Sequence, residues 1–175
     1  EGIIKLCLHQ AHALDSEGKA LQWYKGDRNR EDEIKRSLFD SRYHCYEYIF
    51  NLAYDKQNGQ EIKNKVNIDE MLKSTDELFH ACFYHWMLMN KHGDDLLEFQ
   101  TPFLESYLKE NAPDKIWIYN YQNGKYAESA VQLLQTIKDK ENKSKLEERL
   151  RLLQVAQSLS QAAHNEILRK EATKL

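Results

Sequence analysis

The sequence predicts an all-α protein: stacked antiparallel helices forming an irregular α-solenoid fragment. Three observations carry that prediction. Only two prolines and six glycines occur in 175 residues, too few for a turn-rich β fold. Hydrophobic residues make up 41% and charged residues 30%, the balance of amphipathic helices around a core. Apolar residues recur at three- and four-residue steps in most segments between the glycines and prolines.

The elements follow in order. Ile4, Leu8, Ala11 and Leu14 share one face of a first helix, Ile3 to Leu14. A short helix over Lys19–Tyr24 stops at Gly26. Asp27 is placed to cap a long helix from Asn29 to about Lys56, with Ile34, Leu38, Cys45, Ile49 and Ala53 as its stripe. The polar run Lys56 to Lys65 reads as an internal loop. Asn67 opens a short helix to Lys73. Ser74 stands three residues before Glu77, the spacing of a capping box, and predicts a helix to about Lys91. Gly93 lies just past its end, and the acidic pair Asp94 and Asp95 suits the first turn of a short helix. Thr101 followed by Pro102 signals a further start. Ala112 and Pro113 end that helix, and Asp114 caps the next, which stops before Gly124. Lys125 to Asp139 places Tyr126, Ala130, Leu133, Leu134 and Ile137 together. Ser144 and Glu147 form a second capping box, ahead of Leu146, Leu150, Leu153 and Ala156, with a break expected near His164.

Composition limits the function. The net charge is −3, so no basic field draws the chain to nucleic acid or anionic lipid. No signal-peptide pattern opens the sequence. The longest apolar run, ACFYHWMLM, is too short to span a bilayer. Cys7, Cys45 and Cys82 form no disulfide framework and suit reduced thiols. The first residue is not methionine, and the expectation is a piece of something longer.

Several residues have the spacing of chemistry. Glu77 and His80 form Glu-x-x-His, used by di-iron bundles, but no second copy exists. Cys82 and His85 are i, i+3 neighbours; zinc needs two more ligands, and only His44 with Cys45 offers them. His9 and His12 are a similar isolated pair. Cys82 lies among Phe79, Phe83 and Trp86, surroundings that keep a thiol protonated and inert. The alternative reading is structural. Leu78, Cys82 and Trp86 form one row, Phe79, Phe83 and Met87 the next, and a helix apolar over most of its circumference is buried. The histidines then sit at a helix rim or against backbone carbonyls. The expectation is no catalytic, cofactor-binding or metal residue, and Trp86 buried between helices; partner-binding residues are not identified.

Ordered motifs add a resemblance. Asp76-Glu77-Leu78-Phe79-His80 leads into Tyr84 and Trp86. Asp95-Leu96-Leu97 follows, then Thr101-Pro102-Phe103-Leu104-Glu105. Trp117 to Tyr121, KYAESAVQLL and KLEERLRLLQVA come next, Ser129 and Ala130 standing where paired alanines are frequent. From Asp76 to Ala163 this order resembles the C-terminal helical region of the large non-repetitive scaffold nucleoporins, the 155/157/170 subfamily. The resemblance implies one helical solenoid segment over residues 1–175, with N-terminal helices in 1–57 and family-like helices in 67–175. It implies a non-enzymatic scaffold of the nuclear pore's inner ring that supports nucleocytoplasmic transport. Its partners would be other inner-ring and linker nucleoporins, without cofactor and without direct nucleic-acid contact, and a β-propeller is expected upstream. Two other classes stay open: an α-solenoid subunit of a vesicle coat or proteasome-lid-like particle, and a helical metal enzyme.

Overall fold

A computed structural model describes residues 2–26, 32–57, 60–139 and 146–172. Ten helices and one hairpin account for most of them: α1 Gly2–Leu14, α2 Lys19–Lys25, α3 Glu33–Ala53, β1 Tyr54–Gln57, β2 Gln60–Lys63, α4 Lys65–Met71, α5 Glu77–Met89, α6 Gly93–Leu97, α7 Leu104–Asn111, α8 Ile116–Gln122, α9 Tyr126–Asp139 and α10 Leu146–Ala172. The class is all-α. The chain divides into two compact units, Glu1–Leu104 and Glu105–Leu175.

In the first unit, α3 is the central element, packing on α1, α2, α4 and α5. Its buried Tyr46, Ile49, Phe50 and Ala53 face the buried Leu78, Phe79, Phe83 and Met87 of α5. Phe50 stacks on Phe83 with centroids 5.3 Å apart and tilts against Phe79 at 5.8 Å. Ring pairs of this geometry add to the stabilisation that burial alone supplies.

Helix starts depart from the sequence reading in a consistent way. Asp76, not Ser74, caps α5, its Oδ1 accepting the N–H groups of Leu78 (3.1 Å) and Phe79 (3.3 Å). Ser74 Oγ instead accepts the Asp76 N–H. Asn64 rather than Asn67 opens α4, and Asn67 supplies the N–H that Asn64 accepts. Asp32 caps α3 through the Lys35 N–H; the proposed cap Asp27 lies outside the described residues, as does Ser144. Asp114 caps nothing, because α8 starts after Lys115 with no side-chain cap. α10 continues through His164 without the expected break.

The stretch read as a loop from Lys56 to Lys65 holds an antiparallel hairpin, Tyr54 opposite Lys63 and Gln57 opposite Gln60. Asn-Gly at positions 58–59 is by composition the strongest short-range hairpin signal, but the flanking residues lack the alternating apolar pattern that reveals strands. The hairpin is tied at its foot. Asn64 N–H donates to Ala53 O at 2.8 Å, and Asn67 Nδ2 to Leu52 O at 2.9 Å.

In the second unit, α9 packs against both α8 and α10. Ala130, Leu133, Ile137, Ala156 and Leu159 form its core, with Trp117, Tyr126 and Leu152 packed around them. Gly124 takes φ 70°, the left-handed conformation that turns the chain from α8 into α9.

Candidate functional site

Among the residues singled out as possible chemistry, Glu77 and His80 have structural partners. Glu77 lies in the first turn of α5 and pairs with Lys25 at 2.7 Å. His80 is fully buried. Its Nε2 lies 2.7 Å from Ser74 O, which can only accept, so Nε2 carries the proton. Nδ1 therefore accepts from the Tyr84 hydroxyl at 3.0 Å, and Tyr84 in turn accepts from the Thr101 hydroxyl. Burial pushes the His80 pKa below the ordinary imidazole value, against the opposing pull of the Ser74 carbonyl and the Asp76 charge. Thr101 thus serves as an interior hydrogen-bond donor rather than a helix cap, and α7 begins only at Leu104.

Cys82 is buried and His85 exposed, and both border one groove, but among the described residues no further ligands join them. His44 is exposed with Glu47 at 4.0 Å. Cys45 faces Cys7 instead: burial, then the neighbouring Cys45 thiol, raises the Cys7 pKa. His9 and His12 are exposed on α1. Among the described residues, no group of three or more His, Cys, Asp or Glu could hold a metal ion. Asp95 binds the hairpin, accepting from Tyr54 (3.3 Å) and pairing with Lys63 (2.8 Å). Trp86 departs from expectation: it is half-buried, not enclosed. It sits in the last turn of α5, where Phe50, Tyr54 and His92 cover it at 5.4–5.7 Å.

Sequence patterns missed a buried polar lock. Arg42 of α3 is 4% exposed. One terminal nitrogen donates to Asp15 Oδ2 at 3.0 Å, the other to Asp76 Oδ2 at 2.6 Å, and Nε to the Tyr46 hydroxyl at 2.9 Å. Tyr46 donates onward to Asp76 Oδ2 at 2.5 Å. Asp15 also accepts the Lys19 and Ala20 N–H groups that open α2, reached because Gly18 turns back at φ 69°. One guanidinium therefore joins the carboxylates that satisfy two helix N-termini. Burial opposes ionisation of Asp15, but the Ala20 amide, Arg42 and the Lys19 amide together hold its pKa below the usual range. Burial opposes the charge on Arg42 too, and the surrounding acidic groups raise its pKa regardless. An arginine in the middle of an amphipathic helix reads as solvated surface, so only the fold reveals this role.

A groove of about 380 Å³ is lined by Trp23 and Tyr24 of α2, Phe39, Asp40 and Tyr43 of α3, and Cys82 and His85 of α5. Trp23, Tyr24, Phe39 and Tyr43 are each half-buried. No helix among the described residues is long and apolar enough to cross a membrane.

Comparison with known proteins gives the family. The family model described as the non-repetitive/WGA-negative nucleoporin C-terminal region matches residues 1–175. The chain is 33% identical over 140 residues to the probable nucleoporin C890.06 of Schizosaccharomyces pombe, covering 74% of this chain and 11% of that protein. It is 26% identical over 152 residues to nucleoporin NUP170 of Saccharomyces cerevisiae, covering 73% and 10%. With nucleoporin NUP170 of Chaetomium thermophilum it shares 28% over 125 residues, covering 63% and 9%. The chain thus spans about a tenth of the length of these relatives. With the match running through every helix from α1 to α10, the chain belongs to the non-repetitive/WGA-negative nucleoporins, in the C-terminal region of that family.

Proposed function

We propose that this chain is a scaffold segment of the nuclear pore's inner ring that holds other nucleoporins in place and does no chemistry itself. The supporting observation is the family match over residues 1–175 on a chain whose described residues are mainly helical. Nucleoporins reside in the nuclear pore complex of the nuclear envelope, and this member is read as one of their load-carrying parts. Helices that pack mainly on their neighbours leave grooves between them, and such grooves suit partner helices or extended segments. The net charge of −3 provides little long-range attraction, so binding rests on apolar contact and hydrogen bonds and weakens only modestly with salt.

The experiment is a pull-down from nuclear extract with this chain as bait, at low and high salt. Recovery of inner-ring or linker nucleoporins at both salts is the expected result. Capture of coat or proteasome subunits instead points to another helical scaffold, and no nucleoporin at either salt overturns the reading.

A further inference from the structure

The groove between α2, α3 and α5 has a floor of rings. Phe39 stacks on Tyr24 (centroids 6.0 Å, planes 11° apart) and on Tyr43 (6.0 Å, 22°), and Trp23 tilts against it at 5.0 Å. The row continues inward as Tyr43 meets Phe50 edge-on at 6.4 Å. Such rings present negative faces. Asp40 stands at the edge of the floor. Its one ion-pair neighbour among the described residues, Arg36, is 3.9 Å away, and both side chains are 58% exposed. That contact leaves the carboxylate able to accept shorter bonds. Glu47 adds to the same field: after burial, its charge is the next cause raising the Tyr43 pKa. Among the described residues, no lysine or arginine lines the groove.

We infer that this groove seats the arginine side chain of an extended segment of a partner protein, its guanidinium lying on the Phe39 and Tyr43 rings and donating to the Asp40 carboxylate. The inference rests on the reading of the chain as a binding platform and names the chemistry of one partner. Charge complementarity selects the occupant. A leucine or phenylalanine anchor would draw water from Asp40 and leave its carboxylate only the long Arg36 contact, at a cost. An acidic side chain would meet like charge and the negative ring faces. Lysine supplies the charge but cannot lie flat on a ring or offer two parallel donors; a guanidinium does both.

The test uses the whole chain and a capped hexapeptide, Gly-Ser-Leu-Arg-Gly-Ser, with companions carrying lysine, citrulline or leucine in place of arginine. Citrulline keeps the shape and lacks the charge. Amide and indole resonances are followed by isotope-edited NMR. The arginine peptide is expected to shift the amides of Phe39 to Tyr43 and the Trp23 indole, and to bind about tenfold tighter than the citrulline peptide. Asp40→Asn, at an exposed position, should narrow that difference without moving the unfolding midpoint, and Phe39→Leu should weaken both. Equal affinity for citrulline, tightest binding of the leucine peptide, shifts confined to another surface, or no binding of any peptide overturns the inference. If the Asp40→Asn chain still captures nucleoporins as the unaltered chain does while the arginine peptide fails, the groove assignment falls and the platform reading stands.

Discussion

Arg42 and Asp76 lie 34 positions apart in sequence and meet at 2.6 Å, within a network that also holds Tyr46 and Asp15. Asp76 divides its work between its two oxygens. Oδ1 caps α5, and Oδ2 takes the guanidinium and the Tyr46 hydroxyl. The start of α5 is thereby fixed to the middle of α3, and the start of α2 is fixed to the same point through Asp15. The two carboxylates exceed the one guanidinium in formal charge. Partial positive charge at the two helix N-termini offsets the difference.

Removal of the guanidinium should therefore be costly. Arg42→Ala leaves two carboxylates facing each other with no cation between them, and such losses run to about 3–5 kcal/mol. Arg42→Lys should recover only a small part, because one ammonium cannot reproduce the fork that reaches Asp15, Tyr46 and Asp76 together. Urea midpoints of the three proteins check this; near-equal stability of Arg42→Lys and the native chain would contradict the geometry.

Acid should weaken the same lock. The folded pKa of Asp15 is depressed, so its stabilisation is complete above the unfolded carboxylate value of about 3.9. It is lost as pH falls through the lower folded value. Asp15→Asn should be less stable than the native chain at neutral pH, and the difference should shrink steadily below about pH 4. A difference that stays constant down to pH 2 would refute the assignment.

His80 titrates in the opposite region. Its folded pKa lies below the unfolded value, so unfolding takes up a proton between the two. Stability is full above about pH 6.5 and falls as pH drops toward the folded pKa. Tyr84→Phe removes the donor to Nδ1 inside a buried site and should cost about 1–3 kcal/mol at neutral pH. Unfolding midpoints between pH 5 and 8 test both statements, and a rise in stability on acidification would reverse the sign argued here.

Much of this fold was readable because helices announce themselves by period. The helix of Leu78, Cys82 and the Phe79–Phe83–Met87 row was legible from apolar spacing alone, and so was the Ala130–Leu133–Ile137 face of α9. Cap identity was less legible. Ser74 and Asp76 both satisfy local cap chemistry, and the distant Arg42 and Tyr46 decide between them. The hairpin stayed hidden because its strands are polar and short. Trp86 was misjudged because helical spacing gives direction and not the position of the helix end, where covering neighbours run out. The aromatic groove was invisible, since Trp23, Phe39 and Cys82 meet only through the packing of three helices.

Ring burial separates two substitutions that share a helix. Phe83 is fully buried and touches Phe50, Phe79 and Phe99. Phe83→Ala should cost about 3–5 kcal/mol. Trp86, half-buried, should lose less on truncation, about 2–3 kcal/mol, since part of its ring already faces water. Denaturant midpoints give the order, and a larger loss at Trp86 would place the core nearer the end of α5 than found here.

Ser129 closes the argument in the second unit. It is polar, yet fully buried. Its hydroxyl donates to Trp117 O at 2.6 Å, joining the first turn of α9 to α8. The neighbouring Ala130 packs into the core with Leu133 and Ala156, so the two positions divide polar and apolar duties. Ser129→Ala removes the donor but leaves no buried hydroxyl behind, and the small side chain still fits. The loss should be about 1 kcal/mol, set by the carbonyl that forfeits its partner. Ser129→Val adds two methyl groups at a closely packed helix contact and should cost about 1–3 kcal/mol more. Urea unfolding followed at Trp117 measures both. Should Ser129→Ala prove more damaging than Ser129→Val, packing would not be the constraint at this contact, and the hydroxyl would carry more of the α8–α9 junction than one neutral hydrogen bond supplies.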